Sequence, residues 1–252
     1  MIFGLDFPPI SHAIRWRTLF LSGPFAVNKV VILMWLSVAV VAGFYIAASR
    51  KKALVPTGTQ NVAESVVEFV QEGIILQTMG SEGLSWTPFL LTLFSFVFVC
   101  NIWEIIPAAQ MPVNARMALP LFMALLVWVL YNFIGIKSQG FFGYFKAMCF
   151  PPGVPKALYI LVTPIEFVST LFVRPLSLSV RLFANMLAGH LLLISFAVLS
   201  TALFTSTYVG AVVPGALLIA LTGFEILVSV LQAYIFTILT AVYIGGAMHP
   251  EH

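Results

Sequence analysis

The chain has 252 residues, 61% of them hydrophobic and 8% charged, against about 25% charged in an ordinary soluble domain. That balance excludes a water-soluble globular protein and places the chain in a lipid bilayer. The net charge of +3 is small and its Lys and Arg are scattered, which excludes nucleic acid as a partner.

A hydrocarbon core of about 30 Å needs about 20 apolar residues per helix. Residues 1–29 read as an N-terminal tail, with Arg15, Arg17 and Lys29 but no small-residue cleavage site behind a short apolar core. Residues 30–48 are the first span and its anchor. Arg50, Lys51 and Lys52 follow, then a turn-rich stretch and an amphipathic helix over 60–79. There Glu64, Glu68 and Glu72 recur every fourth residue with Val62, Val66, Phe69 and Val70 opposite them, and Asn61 with Glu64 forms a capping pair. Its acidic face suits solvent or a sister subunit better than anionic lipid. Residues 85–106 and 116–136 form a hairpin of spans. Between 140 and 165 Gly140, Gly143, Pro151, Pro152, Gly153 and Pro155 break an apolar run, which predicts a re-entrant or interfacial hairpin.

Two long helices follow over 167–204 and 209–248, because no Asp, Glu, Lys or Arg occurs from Leu182 to Phe224 and a turn is expected within 205–214. The predicted fold is all-α and membrane-integral. It has about five transmembrane helices, an amphipathic interfacial helix, the re-entrant segment and two tilted antiparallel C-terminal helices, all in one domain. With the N-terminus outside, Arg50, Lys51, Lys52, Lys137, Lys146 and Lys156 are cytoplasmic, against Arg15, Arg17, Lys29 and Arg116 outside. Six against four favours N-out and C-in. Cys100 and Cys149 lack CxxC spacing and read as packing residues.

A charge at the centre of a span costs at least about 2.5–3.5 kcal/mol, so intramembrane ionisable residues are candidates for function. Here they are Glu104, Glu166, Arg174, Arg181, His190 and Glu225. Arg181 is flanked by long apolar stretches and its guanidinium stays protonated, so it can attract a carboxylate or repel a proton but cannot carry one. Arg174, seven residues earlier, reads as a snorkelling interface residue. Asn185 shares the face of Arg181, whereas His190 points roughly the opposite way. If the last two helices run antiparallel, Arg181 falls level with Gln232 and His190 with Glu225. An imidazole and a carboxylate at one depth can form an ion pair or a relay, to which Glu104 adds a third protonatable group. A lone membrane histidine is otherwise a packing residue as often as a working one.

The run RPLSLSVRLFANMLAGH, Arg174 to His190, resembles the most characteristic stretch of subunit a of the rotary ATP synthases. LQAYIFTILTAVYI resembles that family's final helix, and NIWEIIP its second-span motif. The resemblance implies that Arg181 is the essential stator arginine, supported by Ser177 and Ser179. It implies that Asn185 and Gln232 are polar neighbours of Arg181 and that Asn101 and Glu104 line the outer half-channel. Glu166, close to the cytoplasmic side, reads either as part of the exit channel or as a structural residue. His190 and Glu225 match positions where many bacterial relatives carry Glu and His, so the order is reversed here.

The implied function is proton translocation without catalysis of its own, in a bacterial plasma membrane and without cofactor or metal. The implied partners are a rotor ring of c subunits with an essential carboxylate, peripheral-stalk b subunits and the remaining ATP synthase subunits. No GxxxxGK[ST] loop occurs. Two other classes make different demands of the sequence. A secondary transporter calls for an internal repeat, and an intramembrane metalloenzyme for HExxH spacing; neither is present in the sequence.

Overall fold

In lipid a backbone polar group has no water to bind, so the chain must satisfy its own N–H and C=O groups, and helices do so along nearly its whole length. The computed structural model describes residues 18–20, 27–50, 53, 55–106, 109–149, 158–206 and 208–248. Most of the N-terminal tail, Lys51, Lys52 and the proline-rich 150–157 with Lys156 lie outside the described residues. Five helical units among those described are long and apolar enough to cross a membrane: Lys29–Arg50, Ser81–Ile102, Ala118–Gln139, Tyr159–Phe204 and Gly210–Met248. A two-stranded antiparallel ribbon, β1 (Thr18–Phe20) with β2 (Val27–Asn28), precedes the first.

Helix α1 (Lys29–Arg50) buries Val30, Leu33, Ser37, Val41 and Ala48, a stripe at helical spacing. Tyr45 meets Ser95 of α4 (Thr87–Ile102) through their hydroxyls at 2.8 Å, and the Trp103 indole N–H donates to Ser37 Oγ at 2.7 Å. Between these two spans runs the amphipathic segment: α2 (Thr59–Val70), a π-helical turn (Gln71–Ile75) and α3 (Leu76–Thr78). It buries Ala63, Val70, Ile74 and Ile75 and leaves Glu64, Glu68 and Glu72 exposed. The expected Asn61 cap is not used. The helix starts two residues earlier behind Gly58, whose φ of 61° ends the preceding turn, and Glu64 accepts from the Gln60 side chain instead.

Helix α5 (Ala118–Gln139) returns across the bilayer, and α6 (Phe141–Cys149) folds back on it after Gly140. A Cβ at Gly135 would overlap the Tyr144 ring, so this glycine lets α6 lie flat on α5, where the Tyr144 hydroxyl donates to Asn132 Oδ1 at 2.9 Å. Helix α7 (Tyr159–Val168), a π turn (Ser169–Val173) and α8 (Arg174–Ser206) then form one continuous rod. It begins at Tyr159 rather than at the expected 167, because Pro164 sits inside its second turn without ending it. A turn is expected within 205–214; α8 ends at Ser206, α9 (Tyr208–Met248) begins at Tyr208, and Pro214 lies inside α9.

The core is shared by every long helix except α1. Leu178, Leu182 and Met186 of α8 meet Ala233, Phe236, Ala241 and Ile244 of α9, with Leu90 and Val97 of α4 and Ala124 and Val127 of α5. Helices in lipid gain little from apolar burial and associate through close packing of small residues. Ala233 and Ala241 are fully buried, and a Cβ at Gly245 would meet Met79 Cγ at 3.1 Å. Overpacking such a seam costs about 1–3 kcal/mol. Ala241→Leu is therefore expected to lower the thermal unfolding midpoint of the detergent-solubilised subunit by several degrees; an unchanged midpoint would show that the seam has slack.

Candidate functional site

Arg181 stands twenty-third of the 46 residues of the Tyr159–Phe204 unit, counting from Tyr159. At about 1.5 Å per residue each end lies more than about 30 Å away along the rod. The residue is exposed, as are Val180, Ala184, Asn185 and Ala188 on the same side of α8. Among the described residues no hydrogen bond or ion pair engages its guanidinium. Arg174 is half-buried, with its guanidinium carbon 5.4 Å from the centre of the Tyr243 ring, so the expected snorkelling residue is held by a cation–π contact. Ser177 and Ser179 donate to the carbonyls of Arg174 and Leu176 in their own helix.

The opposite face of α8 is buried and leads to a polar cluster. His190 Nδ1 lies 3.7 Å from Glu104 Oε1, in the turn that follows α4. A Cβ at Gly189 would overlap the Glu225 carboxylate of α9, so the acid lies directly against the backbone beside His190. The expected opposition of Arg181 and His190 on α8 is thus real, and a third element resolves it: the imidazole pairs with Glu104, and Glu225 packs beside it.

Toward α5 the cluster continues. The Asn114 amide donates to Asn101 Oδ1 at 2.6 Å, and the Asn101 amide to the Ser229 carbonyl at 3.5 Å. Asn101, Asn114 and Ser229 are fully buried, and Glu104, Glu225 and Gln232 are each 4% exposed. Gln232 is thus buried while Arg181 is exposed, and no hydrogen bond joins them among the described residues. Glu166 is half-buried on α7, fifteen residues before Arg181 and on the far side of the π turn.

Six buried side-chain atoms among the described residues have no hydrogen-bond partner in the protein. Five belong to this cluster: both Glu104 oxygens, Glu225 Oε2, Asn114 Oδ1 and Ser229 Oγ. A buried polar atom left unpaired costs about 1–3 kcal/mol, and five such atoms gathered in one place make a polar pocket inside an apolar bundle. Carboxylates and an imidazole are groups that can take up and release protons. Sequence reasoning missed Asn114, Ser229 and Gly189. Asn114 reads as a polar loop residue, Ser229 as one more small helix residue, and only the adjacency of Gly189 to His190 hinted at a close approach.

Comparison with known proteins bears on this arrangement. The model of the family described as ATP synthase A chain matches residues 31–245. The ATP synthase subunit a of Frankia alni is 46% identical over 228 residues, covering 89% of this chain and 79% of that protein. That of Rhodococcus erythropolis is 43% identical over 235 residues, with 91% and 86% covered. That of Rhodopseudomonas palustris is 44% identical over 222 residues, with 87% of each chain covered.

The tightness around Gly189 is directly testable. Gly189→Ala is expected to displace the Glu225 carboxylate and slow ATP-driven proton pumping in inverted vesicles at least about fivefold, the lower end of an overpacking penalty. Pumping at the wild-type rate in normally assembled membranes would mean that Glu225 has room to move aside.

Proposed function

This chain belongs to the ATP synthase A chain family, whose members serve proton translocation in the membrane sector, and we propose that it forms two aqueous half-channels separated by Arg181. One observation carries the reading. A permanent positive charge stands midway along a 46-residue apolar unit, on a face that the chain's own described helices leave exposed. The protonatable cluster lies on the opposite, buried face.

A cation at that depth calls for an anion from another polypeptide. The partner of fitting chemistry is a rotor ring of c subunits, each presenting a carboxylate at mid-membrane. Protons enter through the cluster of Asn101, Asn114, Glu104, His190 and Glu225 and neutralise a ring carboxylate, which then turns into lipid. After a near-complete revolution the acid returns to Arg181, and the attraction of opposite charges in a low-dielectric setting favours its ionised form, so the proton leaves by the second half-channel. Asn185, one turn from Arg181, adds a hydrogen-bonding group on the ring side. Gln232 supports the boundary from within, and Glu166 lines the exit. Because a guanidinium does not deprotonate, Arg181 blocks direct passage between the half-channels as fixed positive groups do in selective pores.

The chain is a non-catalytic subunit in this reading, with ATP chemistry, peripheral-stalk b subunits and the remaining subunits supplied by the complex. The bacterial relatives and the distribution of Lys and Arg support a bacterial plasma membrane with the N-terminus outside and the C-terminus in the cytoplasm.

Arg181→Ala is expected to abolish proton-driven ATP synthesis in membrane vesicles while the complex still assembles. Coupled synthesis retained at a rate near that of the wild type refutes the assignment.

A further inference from the structure

The π turn between α7 and α8 leaves one backbone carbonyl without a ladder partner. The Arg174 N–H donates to the Ser169 carbonyl, five residues back, and Pro175 has no N–H to give. The Thr170 carbonyl thereby loses its donors at both i+4 and i+5. A hydroxyl from another helix takes their place: Tyr131 of α5 donates to the Thr170 carbonyl at 2.7 Å, with both residues buried. Tyr131 is itself fixed, since its ring packs on Tyr243 with centroids 5.7 Å apart, the same Tyr243 that holds the Arg174 guanidinium.

The π turn has a consequence further along the rod. It accommodates about one more residue than an α-helical turn, so the fifteen residues from Glu166 to Arg181 advance the helix as about fourteen do, which leaves the two side chains about 40° apart around the axis. If the turn relaxed to α-helix, Glu166 would swing by about 100°, the rotation of one residue at 3.6 per turn, to about 60° on the other side of Arg181.

We propose that Tyr131 is a positioning residue for proton exit: its hydroxyl holds the π turn and so sets on which side of Arg181 the Glu166 carboxyl stands. The proposal rests on the half-channel reading above.

Tyr131→Phe keeps the ring stack and removes only the hydroxyl. ATP-driven proton pumping is measured in inverted membrane vesicles for the wild type, Y131F, E166Q and the double variant, with the subunit content of each membrane measured alongside. Each single variant is expected to pump about fivefold more slowly, the weight of roughly one hydrogen bond, with subunit content unchanged. The double variant is expected to be no slower than E166Q alone, because Tyr131 acts through that carboxyl. Losses that multiply, either single variant pumping at the wild-type rate, or a Y131F subunit that fails to accumulate in the membrane overturns the proposal. Arg181→Ala in the same vesicles separates the two readings: pumping retained there sinks the half-channels themselves, whereas failure of the cycle alone sinks only the role of Tyr131.

Discussion

A guanidinium that cannot lose its proton, standing midway along a 46-residue apolar unit, is the constraint around which this chain is organised. Arg181 carries an insertion cost of at least about 2.5–3.5 kcal/mol, and no internal carboxylate offsets it among the described residues. The rest of the fold holds α8 in place so that this face stays presented. Leu178, Leu182 and Met186, on the other side of the same helix, are almost wholly buried against α9, α4 and α5. Small residues make the seam tight, as the lipid setting requires, and Ala184 and Ala188 keep the surface around the arginine low.

The two faces of α8 divide the chemistry. Glu104, His190, Glu225 and the two asparagines lie inside, and the permanent charge lies outside, with Leu182 at 1% and Met186 at 0% exposure between them. An apolar side chain neither donates nor accepts a proton. Leu182 and Met186 thus offer a proton no step from the buried cluster to the arginine's face. That insulation is what a coupling device needs: in the proposed mechanism the only continuation runs through an acid on a moving partner.

Much of this was legible in the sequence, for reasons that also explain what was not. Runs of about twenty apolar residues report spans through composition alone, so α1, α4 and α5 emerged with little ambiguity. The isolation of Arg181 was equally plain, because a charge without flanking charges needs no geometry to be noticed. Helical periodicity put Arg181 and His190 on opposite faces of α8 and His190 level with Glu225. It could not place Glu104 against His190, since that contact depends on how the turn after Trp103 docks, and docking is not periodic. Asn114 was hidden for the same reason: its partner Asn101 lies on a different helix. The early start of the rod at Tyr159 was obscured by Pro164, which signals a break in sequence and is absorbed within the helix.

Gly189 shows how these levels meet. Glycine inside a helix costs about 1 kcal/mol relative to alanine, and nothing in the backbone of α8 calls for it, because Gly189 is an ordinary helical residue. What the missing Cβ provides is space for the Glu225 carboxylate, which lies directly against the helix at that point. An acid pressed onto backbone beside an imidazole is held by exclusion rather than by a fixed hydrogen bond, and Glu225 Oε2 remains without a protein partner. A carboxylate clamped by strong donors would be stabilised in its charged form and would give up the ability to cycle. In the proposed mechanism that is the condition for transfer, because a group that takes and releases a proton works only where neither of its states is bound too well.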